Sequence, residues 1–283
     1  MKTADDLINS LIELAFAEDT GDGDHTTLCC IPPTAEGRSR LIVKEKGVLA
    51  GVEMAKRIFH YFDPALKIEV FIRDGAEVEK VDIAFTVEGK VHSLLQTERL
   101  VLNVMQRMSG IATTVRLYAA QLAGTRTKVL DTRKTTPGMR ILEKEAVRIG
   151  GGENHRIGLF DMILLKDNHI DFAGGIEQAI TRARRYLQEK GKELKVEIEV
   201  RNFDELEEVL RIGGVDRIML DNFSIVDTKE AVQRIAGRFE TESSGGITLQ
   251  NLRDYAECGV DYISVGALTH SIKSLDMSLK AFK

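Results

Sequence analysis

The chain has 283 residues, a net charge of −5 and a pI of about 5.8, so it lacks the overall basic character of nucleic-acid-binding proteins. Hydrophobic residues make up 43% and charged residues 29%, as in a globular protein. No run of about 18 apolar residues occurs, so we expect no membrane span. The acidic N-terminal segment also lacks the features of a signal peptide.

The three cysteines, Cys29, Cys30 and Cys258, are an odd number without metal-ligand spacing. Disulfides are rare in the cytoplasm, so this pattern predicts reduced thiols in a cytoplasmic protein. A redox or catalytic thiol is the alternative, but nothing near these cysteines in the sequence supplies a base or a positive pocket.

Residues 1–110 predict a small α+β domain. Apolar residues at helical spacing predict an N-terminal helix with Thr3 as its N-cap. The runs "RSRLIVKE", "KIEVFI" and "IAFTVEG" predict strands, and "GVEMAKRIFHYF" predicts a helix between the first two. Residues 94–122 predict a further helix, broken near Ser109 and Gly110.

From residue 128 onwards, short apolar runs that end in polar residues alternate with helical segments. The runs are "KVLDTRK", "DMILLKDN", "VEIEVRN", "RIMLDN", "ETESSGG" and "DYISVGA". This alternation predicts a parallel sheet that is buried on both faces. Successive steps of 22 residues join Glu199, Asp221, Ser243 and Val265, and units so short and regular favour a barrel. An open α/β sheet is the alternative.

The barrel is expected to span residues 111–270 as a catalytic domain. The last residues, 271–283, predict a helix that packs back on the N-terminal domain. Its apolar face would be formed by Ile272, Leu275, Leu279 and Phe282.

Polar residues follow the predicted strands, at the edge where the carboxyl ends of a parallel barrel meet. One group of them is cationic and suits an anion with several charges, such as a dicarboxylate or a pyrophosphate. For any single member, a surface salt bridge is the alternative. The group consists of Arg133, Lys134, Lys166 and, from "GGENHRIG", His155 and Arg156.

A second group is acidic. Glu199 and Asp221, at separate strand ends, predict a Mg²⁺ site shared with substrate phosphates, or stabilisation of a developing positive charge. An ion-pair network with the cations is the alternative. Glu197 has the same strand phase, but Glu199 lies nearer the strand end.

Small residues follow the last two predicted strands, in "SSGG" and "SVGAL", where backbone N–H groups can approach a phosphate. The chain has neither a P-loop nor a G-x-G-x-x-G motif after a strand. The residues therefore predict an enzyme that acts on a phosphosugar and a second anion. Transfer, isomerisation and lyase chemistry stay open.

Six motifs occur in a distinctive order: "DTRKTTPGMR", "AVRIGGGENHRIGLFDMILLKDNHI", "EIEV", "IMLDNF", "SSGGI" and "ISVGALTHS". With "EDTGDGDHTT" and "ERLVLNVMQRMSGIAT", they give the chain a resemblance to quinolinate phosphoribosyltransferases, over nearly its whole length. The resemblance implies a type II phosphoribosyltransferase fold, with an N-terminal α/β sandwich and an incomplete, seven-stranded α/β barrel. It also implies a homodimer.

The resemblance further implies an activity in de novo NAD biosynthesis. Phosphoribosyl would pass from phosphoribosyl pyrophosphate to quinolinate with decarboxylation, giving nicotinate mononucleotide. The residues that match quinolinate-binding positions are Arg133, His155, Arg156, Lys166 and Arg99 of the partner subunit. Those that match phosphoribosyl pyrophosphate-binding positions are Lys134, Glu199, Asp221, Ser244, Gly245, Gly246, Gly266 and His270.

Within these sets, Lys134, Glu199 and Asp221 match catalytic positions, and the two carboxylates would hold Mg²⁺ through substrate and water. Without the resemblance, Arg99 would be interpreted as a solvated charge on a helix. Three rival functions remain: a paralogue that acts on another pyridine or azole acid, a nicotinate phosphoribosyltransferase, and a non-catalytic sensor of phosphoribosyl compounds.

Overall fold

The computed structural model describes residues 2–282, which form two compact units. The first unit contains the chain up to Arg116, the segment Thr135–Gly151 and the chain from Leu268 onwards. The second contains Leu117–Lys134 and Gly152–Ala267. The segment that follows Lys134 therefore belongs to the first unit, although the sequence pattern places it in the barrel.

The N-terminal part of the chain alternates helices with short strands. Its elements are α1 (Ala4–Thr20), α2 (His25–Cys30), β1 (Glu36–Val43), β2 (Gly47–Val48), α3 (Val52–Phe62), β3 (Lys67–Val70), β4 (Glu77–Val78), β5 (Ile83–Lys90) and α4 (Val91–Gln121). The predicted strands and helices of this region are confirmed, apart from a break predicted within α4. The predicted N-cap is also confirmed, because Thr3 Oγ1 accepts a hydrogen bond from the Asp6 amide at 3.1 Å.

The rest of the chain supplies the parallel sheet and its helices. Its elements are β6 (Lys128–Leu130), α5 (Arg140–Gly150), β7 (Ile163–Leu165), α6 (Asp167–Ala173), α7 (Ile176–Lys190), β8 (Val196–Val200), α8 (Phe203–Ile212), β9 (Arg217–Asp221), α9 (Ile225–Ile235), β10 (Glu240–Ser244), α10 (Leu252–Glu257), β11 (Tyr262–Ser264), α11 (Ala267–His270) and β12 (Met277–Phe282). Every predicted strand of the barrel is present.

The helix predicted over residues 271–283 is wrong within the described residues. Met277–Phe282 form β12, which pairs antiparallel with β1 in a four-stranded sheet of order β12-β1-β5-β3. Leu275, Met277 and Leu279 are buried at alternate positions. Leu275 and Leu279 are four residues apart, which fits one helix face and one strand face equally well. The segment does pack on the N-terminal domain, as expected.

The break predicted in the long helix is also wrong, because α4 runs unbroken over 31 residues. Ser109 is fully buried, and its hydroxyl bonds both the N–H and the C=O of Ala50, at 2.8 and 3.0 Å. At Gly110, a Cβ atom would stand 2.3 Å from the Lys273 carbonyl oxygen. The two small residues therefore allow close packing and do not interrupt the helix.

The second unit is built on a six-stranded parallel sheet of order β6-β11-β10-β9-β8-β7. The resemblance implies seven strands. At the edge strand β6, Leu130 forms an isolated parallel bridge with Glu153, and no seventh strand is described there among residues 2–282. In β8, Val196, Ile198 and Val200 pack in an apolar core with α7, α8 and α9, which leaves the alternate residues for the opposite face.

Candidate active site

The guanidinium groups of Arg133 and Arg156 interact electrostatically near the carboxyl end of the sheet. Arg133 is exposed in the loop after β6, and Arg156 is half-buried before β7. Burial and then the charge of Arg133 lower the pKa of Arg156. Arg156 also donates to the Met162 carbonyl at 3.3 Å. Like charges that are held together in this way favour an anion between them.

Lys166 and Glu199 form a direct ion pair between the ends of the neighbouring strands β7 and β8. Glu199 is buried, whereas the Lys166 side chain is about two-fifths exposed. For this pair, the ion-pair alternative left open by the sequence is realised. A substrate anion that recruits Lys166 would have to share it with Glu199.

Asp221 lies next to the glycine-rich loop. It pairs in register with Ser244, and Asn222 connects the two by donating to the Asp221 carboxylate and to the Ser244 carbonyl, both at 2.8 Å. Gly245 has a φ of +92°, and a Cβ atom there would stand 2.2 Å from Asn222 Oδ1. Only glycine suits this position, because both its backbone conformation and its space exclude a side chain.

Other predicted phosphate-binding residues lie nearby in the sheet. Gly246 is exposed with a φ of +62°, and Gly266 follows β11, the neighbour of β10. Lys134 is exposed in the same loop as Arg133, and its amide donates to Thr132 Oγ1 at 3.1 Å. The second unit thus contains all the predicted site residues except Arg99 and His270.

Arg99 and His270 lie in the first unit. Arg99 is exposed on α4, and His270 is exposed with its Nδ1 2.7 Å from Ser271 Oγ. The roles of both residues stay predictions.

A buried charged cluster that the sequence motifs do not reveal lies on the inward face of the sheet. His155 Nε2 is 3.0 Å from a Glu197 carboxylate oxygen and 3.6 Å from one of Glu242. Arg217 donates to Glu242 at 2.9 Å, and its guanidinium lies 4.0 Å from the centre of the Tyr262 ring. Burial raises the pKa of Glu197 and that of Glu242 to about 7.

The metal site predicted at Glu199 and Asp221 stays a prediction. Glu199 is the penultimate residue of β8 and Asp221 the last residue of the adjacent strand β9, and hard oxygen donors of this kind suit Mg²⁺ that also binds substrate and water. Within residues 2–282, the one set of three side chains close enough together to share a metal ion is His155, Glu197 and Glu242. Its carboxylates already have Arg217 and His155 as neighbours.

Family models match almost the whole chain. The N-terminal domain of quinolinate phosphoribosyl transferase matches residues 24–109, and the C-terminal domain of the same family matches residues 111–280. The chain belongs to the quinolinate phosphoribosyltransferase family. Membership of this family confirms the resemblance found in the sequence motifs.

Individual members of the family align with this chain over most of their length. The chloroplastic carboxylating nicotinate-nucleotide pyrophosphorylase of Arabidopsis thaliana is 46% identical over 96% of this chain and 82% of its own. A probable enzyme of the same name from Bacillus subtilis is 39% identical, over 96% and 92%. The crystal structure of NadC from Streptococcus pyogenes is 39% identical, covers 100% of both chains and has a TM-score of 0.92. The two-domain α/β fold is therefore that of the family.

Within residues 2–282, no helix is both long and apolar enough to span a membrane. Cys29, Cys30 and Cys258 are free thiols. The cytoplasmic location stays a prediction, because plant relatives are chloroplastic or mitochondrial.

Proposed function

We propose that the chain transfers phosphoribosyl from phosphoribosyl pyrophosphate to quinolinate and releases pyrophosphate and CO₂. The electrostatic interaction of Arg156 with Arg133, and that of Arg156 and Lys166 with the same buried Glu197, carry this proposal. Three cations suit the two adjacent carboxylates of quinolinate better than the single carboxylate of nicotinate. Family membership supports the same activity.

On the pyridine side, Arg133, Arg156 and Lys166 hold the two carboxylates, with His155 next to Arg156 and Arg99 supplied by the partner subunit. A planar guanidinium can grip each carboxylate with two parallel hydrogen bonds, which fixes the ring as well as binding it. The ring nitrogen is a weak nucleophile, so holding it in line with the ribose removes several kcal/mol from a two-substrate barrier.

On the ribose side, the ring nitrogen forms a bond to C1 as the bond from C1 to the pyrophosphate oxygen breaks. Positive charge develops on the ribose, and the carboxylates of Glu199 and Asp221 are placed to stabilise it. Lys134 neutralises phosphate charge. Ser244, Gly245, Gly246 and Gly266 offer small, close-approaching backbone to the phosphates, and His270 belongs to the same predicted set.

Decarboxylation then follows from the charge of the adduct. The ring nitrogen is cationic once it bears the ribose, so the electron pair left at C2 by departing CO₂ is stabilised next to it. Protonation of C2 gives nicotinate mononucleotide. Glu199 and Asp221 would hold Mg²⁺ together with water and the pyrophosphate. The bound ion would neutralise the negative charge of the leaving group.

The proposed activity has a direct assay. Purified protein supplied with quinolinate, phosphoribosyl pyrophosphate and Mg²⁺ should release nicotinate mononucleotide and CO₂ in equal amounts. Nicotinate in place of quinolinate is the matched control and should react far more slowly, since it leaves part of the cation cluster without a partner. Failure to detect either product over a range of pH values and divalent metals would contradict the proposal.

The shared site of the proposed homodimer can be tested with mixed subunits. Arg99→Ala and Lys166→Ala chains should each be inactive alone, but a mixture should regain activity because one of its two sites is intact. A mixture of Lys166→Ala and Arg156→Ala chains is the control, since both changes lie in the same half of the site. Verified mixed dimers of the first kind that stay inactive would argue against a contribution of Arg99 from the partner subunit.

A further inference from the structure

Arg107, on α4, is the centre of a hydrogen-bond network in the first unit. Its Nε donates to Glu143 Oε1 at 2.7 Å, and its Nη2 donates to Thr136 Oγ1 at 2.8 Å and to the Thr269 carbonyl at 3.1 Å. The Arg107 side chain is 25% exposed, whereas Glu143 is fully buried. One guanidinium group therefore joins three parts of the first unit that are distant in the sequence: α4, the start of α5 with the loop before it, and the C-terminal segment.

Glu143 completes this network from the first turn of α5. The Thr136 amide donates to both of its carboxylate oxygens, at 3.3 and 3.2 Å. The Thr136 carbonyl accepts from the Met139 amide at 3.0 Å, and Arg140 Nε donates to Thr135 Oγ1, also at 3.0 Å. Thr136 is thus held through its amide, its carbonyl and its hydroxyl, although it is exposed in a segment without helix or strand.

The two threonines that Arg107 reaches lie next to residues that are predicted to bind phosphoribosyl pyrophosphate. Thr136 follows Lys134 by two positions, and Thr269 directly precedes His270. The position of a binding group on an irregular loop depends on the contacts that support the loop. The network therefore supports the chain beside two groups that would bind the same substrate.

We propose that Arg107 and Glu143 are positioning residues for phosphoribosyl pyrophosphate: their ion pair fixes the loop that follows Lys134. The same guanidinium group fixes the backbone that precedes His270. A guanidinium is suited to this task, because its planar fork of N–H donors can serve several acceptors at once. The role rests on the proposed function, since it is expressed in the binding of one of the two proposed substrates.

The test compares Arg107→Gln with Arg116→Gln. Arg116 lies on the same helix, with 37% of its side chain exposed. Its Nε donates to the Gly150 carbonyl at 3.1 Å, so it also connects α4 to α5, but at the end of α5 that is remote from Thr136. The control therefore removes an arginine that joins the same two helices without supporting either threonine.

We expect Arg107→Gln to raise the KM for phosphoribosyl pyrophosphate roughly 10- to 100-fold, as displacement of a binding group by about 1 Å does. The KM for quinolinate should change far less, and kcat should stay nearly unchanged. Arg116→Gln should leave all three constants unchanged. Similar KM values for phosphoribosyl pyrophosphate in the two variants, or an equal rise in both KM values of Arg107→Gln, would overturn the proposal.

Amide exchange in the wild-type protein provides a second test. The Thr136 amide should exchange slowly with deuterated solvent, as followed by NMR, because a fully buried carboxylate accepts its hydrogen bond. Exchange at the rate of an unstructured peptide would overturn the proposal even if Arg107→Gln does not fold. Wild-type protein that does not turn over quinolinate would overturn the proposed function. Calorimetric titration of phosphoribosyl pyrophosphate would then still test the positioning role, with weaker binding expected for Arg107→Gln than for Arg116→Gln.

Discussion

Replacing Arg156 with Met is expected to reduce kcat/KM for quinolinate by about 10²- to 10³-fold, because loss of one partner of a desolvated charge pair costs roughly 2–5 kcal/mol. Arg156 is half-buried, so its interaction with a carboxylate is screened less by water than that of the exposed Arg133. Methionine keeps the apolar stem of the side chain and removes the guanidinium. Steady-state kinetics with each substrate varied in turn will measure the effect.

The loss should fall on one substrate and spare the fold. Since Arg133 and Arg156 repel each other in the free protein, removing one of them should leave the free energy of unfolding unchanged or slightly higher. Arg184→Met is the matched control, because Arg184 lies on α7 and pairs with Asp216 at 3.2 Å, at the opposite end of β9. Equal rises in the KM values of both substrates, or a clear loss of stability, would contradict the assignment of Arg156 to the quinolinate carboxylates.

The strand ends of the barrel could be predicted from the sequence because two independent signals coincide there. A strand buried on both faces is an unbroken apolar run, and the first polar residue after it lies at the catalytic edge of a parallel sheet. These signals alone predict that Arg133, Lys166, Glu199 and Asp221 lie at this edge. They cannot show that Lys166 and Glu199 pair with each other, since strand neighbours depend on sheet order.

The charged layer within the barrel could not be predicted in the same way. Glu197 alternates with apolar residues along β8, and Glu242 lies among polar residues in β10, and both patterns in most sheets mean a face exposed to solvent. Only the structure shows that Glu197, Arg217 and Glu242 are buried. The position of Asn222 escapes sequence reasoning for a related reason: its left-handed backbone, with a φ of 56°, and its contact with Gly245 both depend on the neighbouring strand.

The interior layer is where we expect the largest effect on stability. Arg217→Met should lower the free energy of unfolding by about 3–5 kcal/mol, as removal of one partner from a buried ion pair does. Arg217 is 8% exposed, and it is the cation that pairs with Glu242 and lies in register with Glu197, so both fully buried carboxylates would lose it. Urea denaturation will measure the change.

A matched control separates the effect of burial from the effect of the ion pairs and aromatic contact that the arginine makes. Arg234 also pairs with two carboxylates, those of Glu207 and Glu230, and its guanidinium also covers an aromatic ring, 4.4 Å from the centre of Phe203. It does so on the surface, with 39% of its side chain exposed. Arg234→Met should therefore cost less than about 1 kcal/mol. Similar losses for the two variants would mean that burial of the Arg217 pair contributes nothing.

The pH dependence of the Arg217→Met effect separates charge from packing. Burial raises the pKa of Glu197 and that of Glu242 from 4.5 to about 7, so the folded protein binds protons more tightly and loses stability as the pH rises from about 4.5 to 7. The charge of Arg217 lowers both pKa values, and its removal raises them further, which extends the loss above pH 7. The destabilisation should thus be larger at pH 8 than at pH 5. If the loss of stability is equal at the two pH values, its cause is the missing contact of Arg217 with Tyr262 and not the unpaired carboxylates.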